Sequence, residues 1–219
     1  MKKILLFITL SISLYAQQIL LVVTEDFNTS QGILEAYENG KKVFSNIPVL
    51  VGKNGLGLGI GIKTIPHQTN EPIKEEGDKK APAGIFKITS AFGSKKNLHL
   101  KLPYIYTKDM ICVDDSYSKN YNKIIKNNYK EKSFEYMQRK DDLYEIGVVI
   151  DHNHYQIPKR GSCIFLHVKR KNNTPTVGCT AMSKKELMKI LQWLDPTQEP
   201  LLIQIPKQYL HIVKKMFNL

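Results

Sequence analysis

Long apolar runs are missing from this chain of 219 residues, cysteine occurs three times, tryptophan once, and acidic residues are outnumbered by basic ones, 20 to 32. Each shortage excludes something. The longest apolar stretch, Ile4 to Tyr15, falls short of the ~20 residues that a membrane-spanning helix needs, so no stable membrane span is expected. It follows Met1-Lys-Lys and precedes Ala16, the layout of a secretory leader with a basic start, a short apolar centre and a small residue before the cleavage point. Residues 1–16 are therefore read as a signal peptide and the protein as periplasmic or secreted. Leu14 is a poor fit two positions before Ala16, which keeps an uncleaved anchor open as an alternative. No cysteine follows the apolar run, so no lipid attachment is suggested.

Residues 17–219 contain no internal repeat and no Pro/Ser-rich linker, and their length suits one domain with a sizeable core. The scarcity of acids leaves a net charge of +12, enough to attract anionic surfaces or polymers. Nucleic acid is not the expected partner, because the basic residues are dispersed without stacking aromatics and the protein is exported. Protein partners cannot be read from the sequence. A phosphate-binding loop is also absent: Gly52, Gly55, Gly57, Gly59 and Gly61 lack its spacing and its Gly-Lys-Ser/Thr ending. These glycines are read instead as a flexible or tightly turned surface loop, able to move as a lid.

Three cysteines in an exported chain leave at least one without an internal partner. Cys179 is the candidate free thiol. Cys112 and Cys163 could be bonded, but sequence alone does not say whether their Cα atoms lie within about 7 Å.

What is present reads as mostly strand. Gln18 to Thr24, Gly32 to Tyr37, Lys42 to Phe44 and Ile47 to Val51 are rich in β-branched and aromatic residues, with Asn39-Gly40 as a hairpin turn. Ile85 to Thr89, Ile146 to Ile150, Gly161 to Val168 and Leu201 to Ile205 continue the pattern. Helical spacing of Tyr117, Tyr121, Ile124, Ile125 and Tyr129, with Asp114, Asp115 or Ser116 as cap, predicts a helix there. Ser183-Lys-Lys-Glu186 is a capping box opening a second helix that ends near Pro196. Tyr209 to Phe217 reads as a basic amphipathic helix packed on the domain, with membrane-surface contact as the weaker option. The fold class expected is mainly β, a sandwich with a few peripheral helices.

The chemistry centres on Thr174-Pro-Thr-Val-Gly-Cys-Thr-Ala-Met182 and on His167, twelve residues before Cys179. A free thiol has a pKa near 8.5 and needs a base or cation beside it to act as a nucleophile at neutral pH. His167 ends an apolar strand, and the polar segment after it could return the chain to bring Cys179 alongside. Gly178 could let the backbone turn tightly and present N–H groups to an oxyanion. Alternation along the strand would put Cys163, Phe165 and His167 on one face. His152 and His154 share a strand face on the same logic and could begin a zinc site, but no spaced third and fourth ligands accompany them. No metal and no cofactor is expected.

Gly161-Ser-Cys-Ile-Phe-Leu-His-Val168 followed by Thr174-Pro-Thr-Val-Gly-Cys-Thr-Ala-Met182 resembles the L,D-transpeptidase catalytic domain, the YkuD-like family, whose signature is a histidine followed by Ser/Thr-x-Gly-Cys. Gly52-Lys-Asn-Gly-Leu-Gly57, Glu76-Gly-Asp78 with Pro82 to Phe86, Asp114-Asp115 with Ser118 and Tyr121-Asn122, and Asp142-Leu-Tyr144 look like its exported branch. The resemblance implies an L,D-transpeptidase-like sandwich whose partners are peptidoglycan stem peptides. It implies Cys179 as nucleophile, His167 as base, Gly178 with adjoining amides at the oxyanion, and Thr176, Val177 and Thr180 as turn support or substrate contacts. The chain departs from the pattern at Ala181, where many members have arginine, at Val177, where many have histidine, at Val168, where a small residue is usual, and in a shorter His-to-Cys spacing.

Overall fold

The computed structural model describes residues 18–219, so the leader read over residues 1–16 and the domain start at residue 17 lie outside the described residues. Its strands are β1 (Gln18–Thr24), β2 (Gln31–Glu38), β3 (Lys41–Leu50), β4 (Leu56–Leu58), β5 (Ala81–Gly93), β6 (Tyr104–Tyr106), β7 (Met110–Val113), β8 (Ile124–Lys126), β9 (Phe134–Tyr136), β10 (Ile146–Ile150), β11 (Phe165–Val168), β12 (Thr180–Met182) and β13 (Leu201–Pro206). Two short helices accompany them, α1 (Lys184–Trp193) and α2 (Leu210–Phe217). The class is mainly β, as the strand-rich sequence implies. Among the described residues no helix is long and apolar enough to cross a membrane.

The main sheet runs β10-β11-β12-β3-β2-β1-β13-β5-β4, and β10 also pairs with β5, which closes the path on itself. Closure depends on the length of β5. Ile85, Phe86 and Lys87 pair with β13, while Ile88 to Gly93 pair with β10. β1 lies between β2 and the parallel β13, with both faces covered, and its unbroken Ile19-Leu-Leu-Val22 run is what a doubly buried strand requires. The Asn39-Gly40 turn forms as expected, both residues at positive φ (50° and 76°), the backbone that a tight hairpin between twisted strands demands. The two short strands read before and after Ser45 are one strand, β3.

At α1, the Ser183 hydroxyl accepts the Glu186 N–H at 3.2 Å, and Leu187, Ile190 and Leu191 face the core. Helix α2 buries Val213 against the same core and carries Lys214 and Lys215 in its last turn.

A second, three-stranded sheet, β8-β7-β9, replaces the helix expected around Tyr121. The tyrosines at helical spacing are not a packed face: Tyr117 and Tyr129 are 82% and 86% exposed, whereas Tyr121 is buried and donates to Glu76 Oε2 at 2.6 Å. Asn122 and Tyr129 hold φ near +60°, which a helix does not tolerate. Asn122 works as a staple, donating to the carbonyls of His152 and Asn153 and accepting the Cys163 N–H. Asp115 accepts the Tyr117 N–H in a local turn rather than capping a helix.

The glycine-rich stretch is tightly turned, one of the two forms read for it: Gly52 pairs with Gly55 across a turn, and Gly55 holds φ +75°. Its middle is β4, laid parallel along β5, and a Cβ on Gly55 or Gly61 would come within 2.0 Å of the Phe27 or Ile85 carbonyl oxygen. Close backbone packing calls for glycine here.

Cys112 on β7 is bonded to Cys163, with Cα atoms 6.0 Å apart and a sequence separation of 51. The bond ties the small sheet to the segment before β11. Closing a loop of that size is worth about 4 kcal/mol in the chain-entropy account. A Cys112→Ala/Cys163→Ala double variant should therefore unfold at a clearly lower urea concentration, and an unchanged midpoint would refute the crosslink as a stabilising element.

Candidate active site

Strands β11 and β12 run parallel, with Leu166 opposite Thr180 and His167 opposite Ala181. Because side chains alternate, this register places Phe165, His167 and Ala181 on one face together with Cys179, one residue ahead of β12. The opposite face belongs to the core. There Thr180 is buried and donates to Gln204 Oε1 at 2.7 Å, while Gln204 donates to the Pro82 carbonyl. Thr180 thus supports the sheet from behind and does not meet the cavity in which the thiol sits.

The turn before Cys179 is held at both ends. Thr176 exchanges backbone hydrogen bonds with Val51 and Lys53 at 3.0 and 2.8 Å, and its hydroxyl donates to the Cys179 carbonyl at 2.6 Å while accepting the Gly178 N–H at 3.1 Å. Thr176 is the turn support that the resemblance implies. The Gly178 N–H, expected to face an oxyanion, is engaged by Thr176 in this state. Val177 is 69% exposed at the rim.

Cys179 and His167 line a cavity of about 280 Å³ together with Glu135, Arg139, Tyr144 and Arg170. A second cavity of about 340 Å³, bordered by Cys112, Cys163, Asn122 and His152, contains neither the free thiol nor His167. The smaller one is therefore the candidate active site.

Within it both partners are neutral at rest. The Cys179 thiol donates to the Cys163 carbonyl at 3.3 Å, and burial, reinforced by the negative charge of Glu135, pushes it up to about 12. Burial likewise lowers His167 to about 4. His167 Nδ1 lies 2.8 Å from the Val168 carbonyl, so Nδ1 carries the hydrogen and Nε2 keeps its lone pair. Tyr144 packs edge-on against the imidazole at 5.3 Å and against Phe165 at 5.5 Å, which fixes the ring plane. No hydrogen bond joins Cys179 to His167 here. Catalytic contacts often tighten only when substrate is bound.

Cys163 does not follow the alternation expected of a strand over Gly161 to Val168. Its φ is +54° and the strand begins at Phe165, so its carbonyl, not its side chain, reaches Cys179. The two histidines read as a possible zinc pair separate as well. His152 is buried, accepting the Ile60 N–H at Nδ1 and donating from Nε2 to the Arg160 carbonyl. His154 is exposed beside Asp151. Among the described residues no three His, Cys, Asp or Glu side chains gather as a metal site.

Glu135, Arg139, Tyr144 and Arg170 were not legible as site residues. The one hint is Glu135 itself, an acid between Phe134 and Tyr136 in a strand whose alternation turns it away from both aromatics. Arg139 is bound to Asp141 through two nitrogens, at 2.8 and 2.7 Å, and lies over the Tyr144 ring. Arg170 reaches the same carboxylate at 3.9 Å. Ala181 leaves the floor beside His167 without a charged side chain, and the cavity's cations come from Arg139 and Arg170.

A closed β sheet presenting one buried thiol and one imidazole from neighbouring parallel strands defines a protein with a cysteine–histidine site. The family model of the YkuD L,D-transpeptidase catalytic domain matches residues 23–203, and the chain belongs to that family. Its family-level function is of the L,D-transpeptidase type, acting on peptidoglycan. Comparison with curated proteins and with solved structures found no match.

Proposed function

We propose that the protein is an exported cysteine acyltransferase that works on peptidoglycan stem peptides in the periplasm or outside the cell. The observation that carries this reading is the shared cavity of Cys179 and His167. In the first half-reaction the Cys179 sulfur attacks the carbonyl of the L,D bond between the diamino acid and the terminal D-alanine. The thiol proton passes to His167 Nε2. A C–S bond forms, the C–N bond breaks, and His167 returns the proton to the departing D-alanine amine.

Burial pushes the thiol up to about 12 and the imidazole down to about 4, so both shifts favour the neutral pair over the charged one. Proton transfer therefore accompanies C–S bond formation rather than preceding it. In the second half-reaction the thioester is resolved by a side-chain amine of another stem, giving a crosslink. Resolution by water would make the protein an L,D-carboxypeptidase, and a scaffold that only binds cell wall would do neither.

Mass spectrometry of the protein with tetrapeptide muropeptides, beside a Cys179→Ala variant, tests the reading. The expected result is D-alanine loss with new dimers, abolished in the variant. Tripeptide monomers alone would establish the carboxypeptidase, and no Cys179-dependent product would overturn the enzymatic reading.

A further inference from the structure

The mechanism above leaves one acid of the cavity without a task. Among the described residues Glu135 is the sole acid lining it, in a cavity that Arg139 and Arg170 also line. Oε2 accepts the Tyr144 hydroxyl at 2.6 Å. Arg139, the nearer source of positive charge, is already committed to Asp141 by two hydrogen bonds. Among the described residues Glu135 joins no ion pair, although even partial removal of a carboxylate from water carries a cost that a cation would offset. Burial raises its pKa, and the charges of Asp114 and Glu76 add to the rise against the Tyr144 hydrogen bond and Arg139. Asp114, on the segment leaving β7, has a buried Oδ1 that meets no hydrogen-bond donor among the described residues. The positive charge nearest Glu135 is thus paired with another acid, while Asp114 and Glu76 add to the negative charge around it.

The position of Glu135 is enforced from two sides. It lies opposite Cys112 in the β7–β9 pairing, so the Cys112–Cys163 bond anchors the strand that presents it. Tyr144, wedged between Phe92, Phe165 and His167, holds its carboxylate from the other side.

We propose that Glu135 is the binding group for the acceptor amine, taking a primary ammonium into the cavity beside the Cys179 thioester. This inference rests on the acyltransfer reading and deepens it. A +12 protein with two arginines in its cavity repels an ammonium, and a carboxylate among them supplies the local attraction that admits one. The bound ammonium gives one proton to Glu135. The freed lone pair forms the C–N bond with the thioester carbonyl carbon, the C–S bond breaks with its electron pair on Cys179, and the second nitrogen proton ends on that sulfur. Glu135 then releases its proton to water. Water as acceptor is neutral and is not drawn in by the negative charge, so Glu135 raises the local concentration of the amine over that of its competitor and biases the enzyme toward transfer.

Glu135→Gln tests this, because the amide oxygen still accepts from Tyr144 and only the charge is lost. With a tetrapeptide donor and a peptide bearing one primary amine as acceptor, kcat/KM for dimer formation should fall at least tenfold more than the rate of D-alanine release measured without acceptor. The ratio of dimer to hydrolysed tripeptide should fall with it. Equal losses in both rates, or an unchanged ratio, would overturn the proposal.

A binding measurement separates its failure from failure of the acyltransfer reading. By calorimetry on Cys179→Ala protein, the amine peptide should bind at least fivefold more tightly than its N-acetylated form, and adding Glu135→Gln should erase the difference. No preference for the free amine would overturn the proposal even where the wild type crosslinks. A Glu135-dependent preference would uphold the ammonium site even if the wild type released no D-alanine, in which case the acyltransfer reading alone fails.

Discussion

Iodoacetamide should modify Cys179 of the resting protein at pH 7 about fifty- to a hundredfold more slowly than it modifies a free cysteine. Only the thiolate reacts, and a thiol pushed up to about 12 by burial is ionised at pH 7 several thousand times less often than one near 8.5. The greater nucleophilicity of a more basic thiolate recovers part of that loss. The rate should still climb about tenfold per pH unit beyond pH 9, where a free cysteine has levelled off. A plateau below pH 9 would show that a thiolate–imidazolium pair exists before substrate arrives, and the mechanism would then begin from a charged nucleophile. A neutral, buried sulfur also escapes oxidation while it waits for a peptide to fill the cavity.

Acid should destabilise the fold strongly between pH 6.5 and pH 4. His152 and His167 are both buried and neutral, each lowered to about 4 by desolvation. In the unfolded chain they titrate near 6.5. Within that window the unfolded state binds more protons than the folded one, so the stability these residues contribute is complete above about pH 6.5 and declines as the pH falls through the folded values. Each accounts for about 3 kcal/mol at the acid end. Urea midpoints measured from pH 7 to pH 4 should drop steeply, and a His152→Gln variant, although less stable at pH 7, should show a visibly shallower slope. Stability flat across this range would mean that both rings accept protons in the native state, and His167 would then carry a charge that its contact with Tyr144 does not compensate.

The acid window also bears on the site. Protonating His167 at Nε2 removes the lone pair that receives the thiol proton. Loss of activity in acid should therefore track the folded-state value near 4 until unfolding intervenes.

Much of the architecture was legible because its signals are local. The unbroken apolar run of β1, Asn39-Gly40 in its turn, and Ser183 three residues before Glu186 each act through neighbours a few residues away, and each element forms where those signals place it. The pairing of His167 with Cys179 belongs to the same class, since an apolar strand, a short polar return and a Gly-Cys turn leave little choice but to lay the two side by side.

The remainder was decided by contacts between distant parts of the chain. Tyrosines at helical spacing became a β excursion because the Tyr121 hydroxyl finds Glu76 and Asn122 finds the backbone of His152 and Asn153. Glycines that read as a flexible or tightly turned loop flank the short strand β4, where the carbonyls of Phe27 and Ile85 leave no room for a side chain at Gly55 and Gly61. Cys112 and Cys163 are separated by 51 positions, and only the fold brings their Cα atoms within bonding range. The same closure carries Glu135 and Tyr144 to the thiol. The export reading of residues 1–16 and the choice of Cys179 and His167 as the proposed reacting pair both come from short segments of sequence. The charge state of that pair and the acid that faces it depend on burial and on opposing strands, which exist only once the sheet has closed.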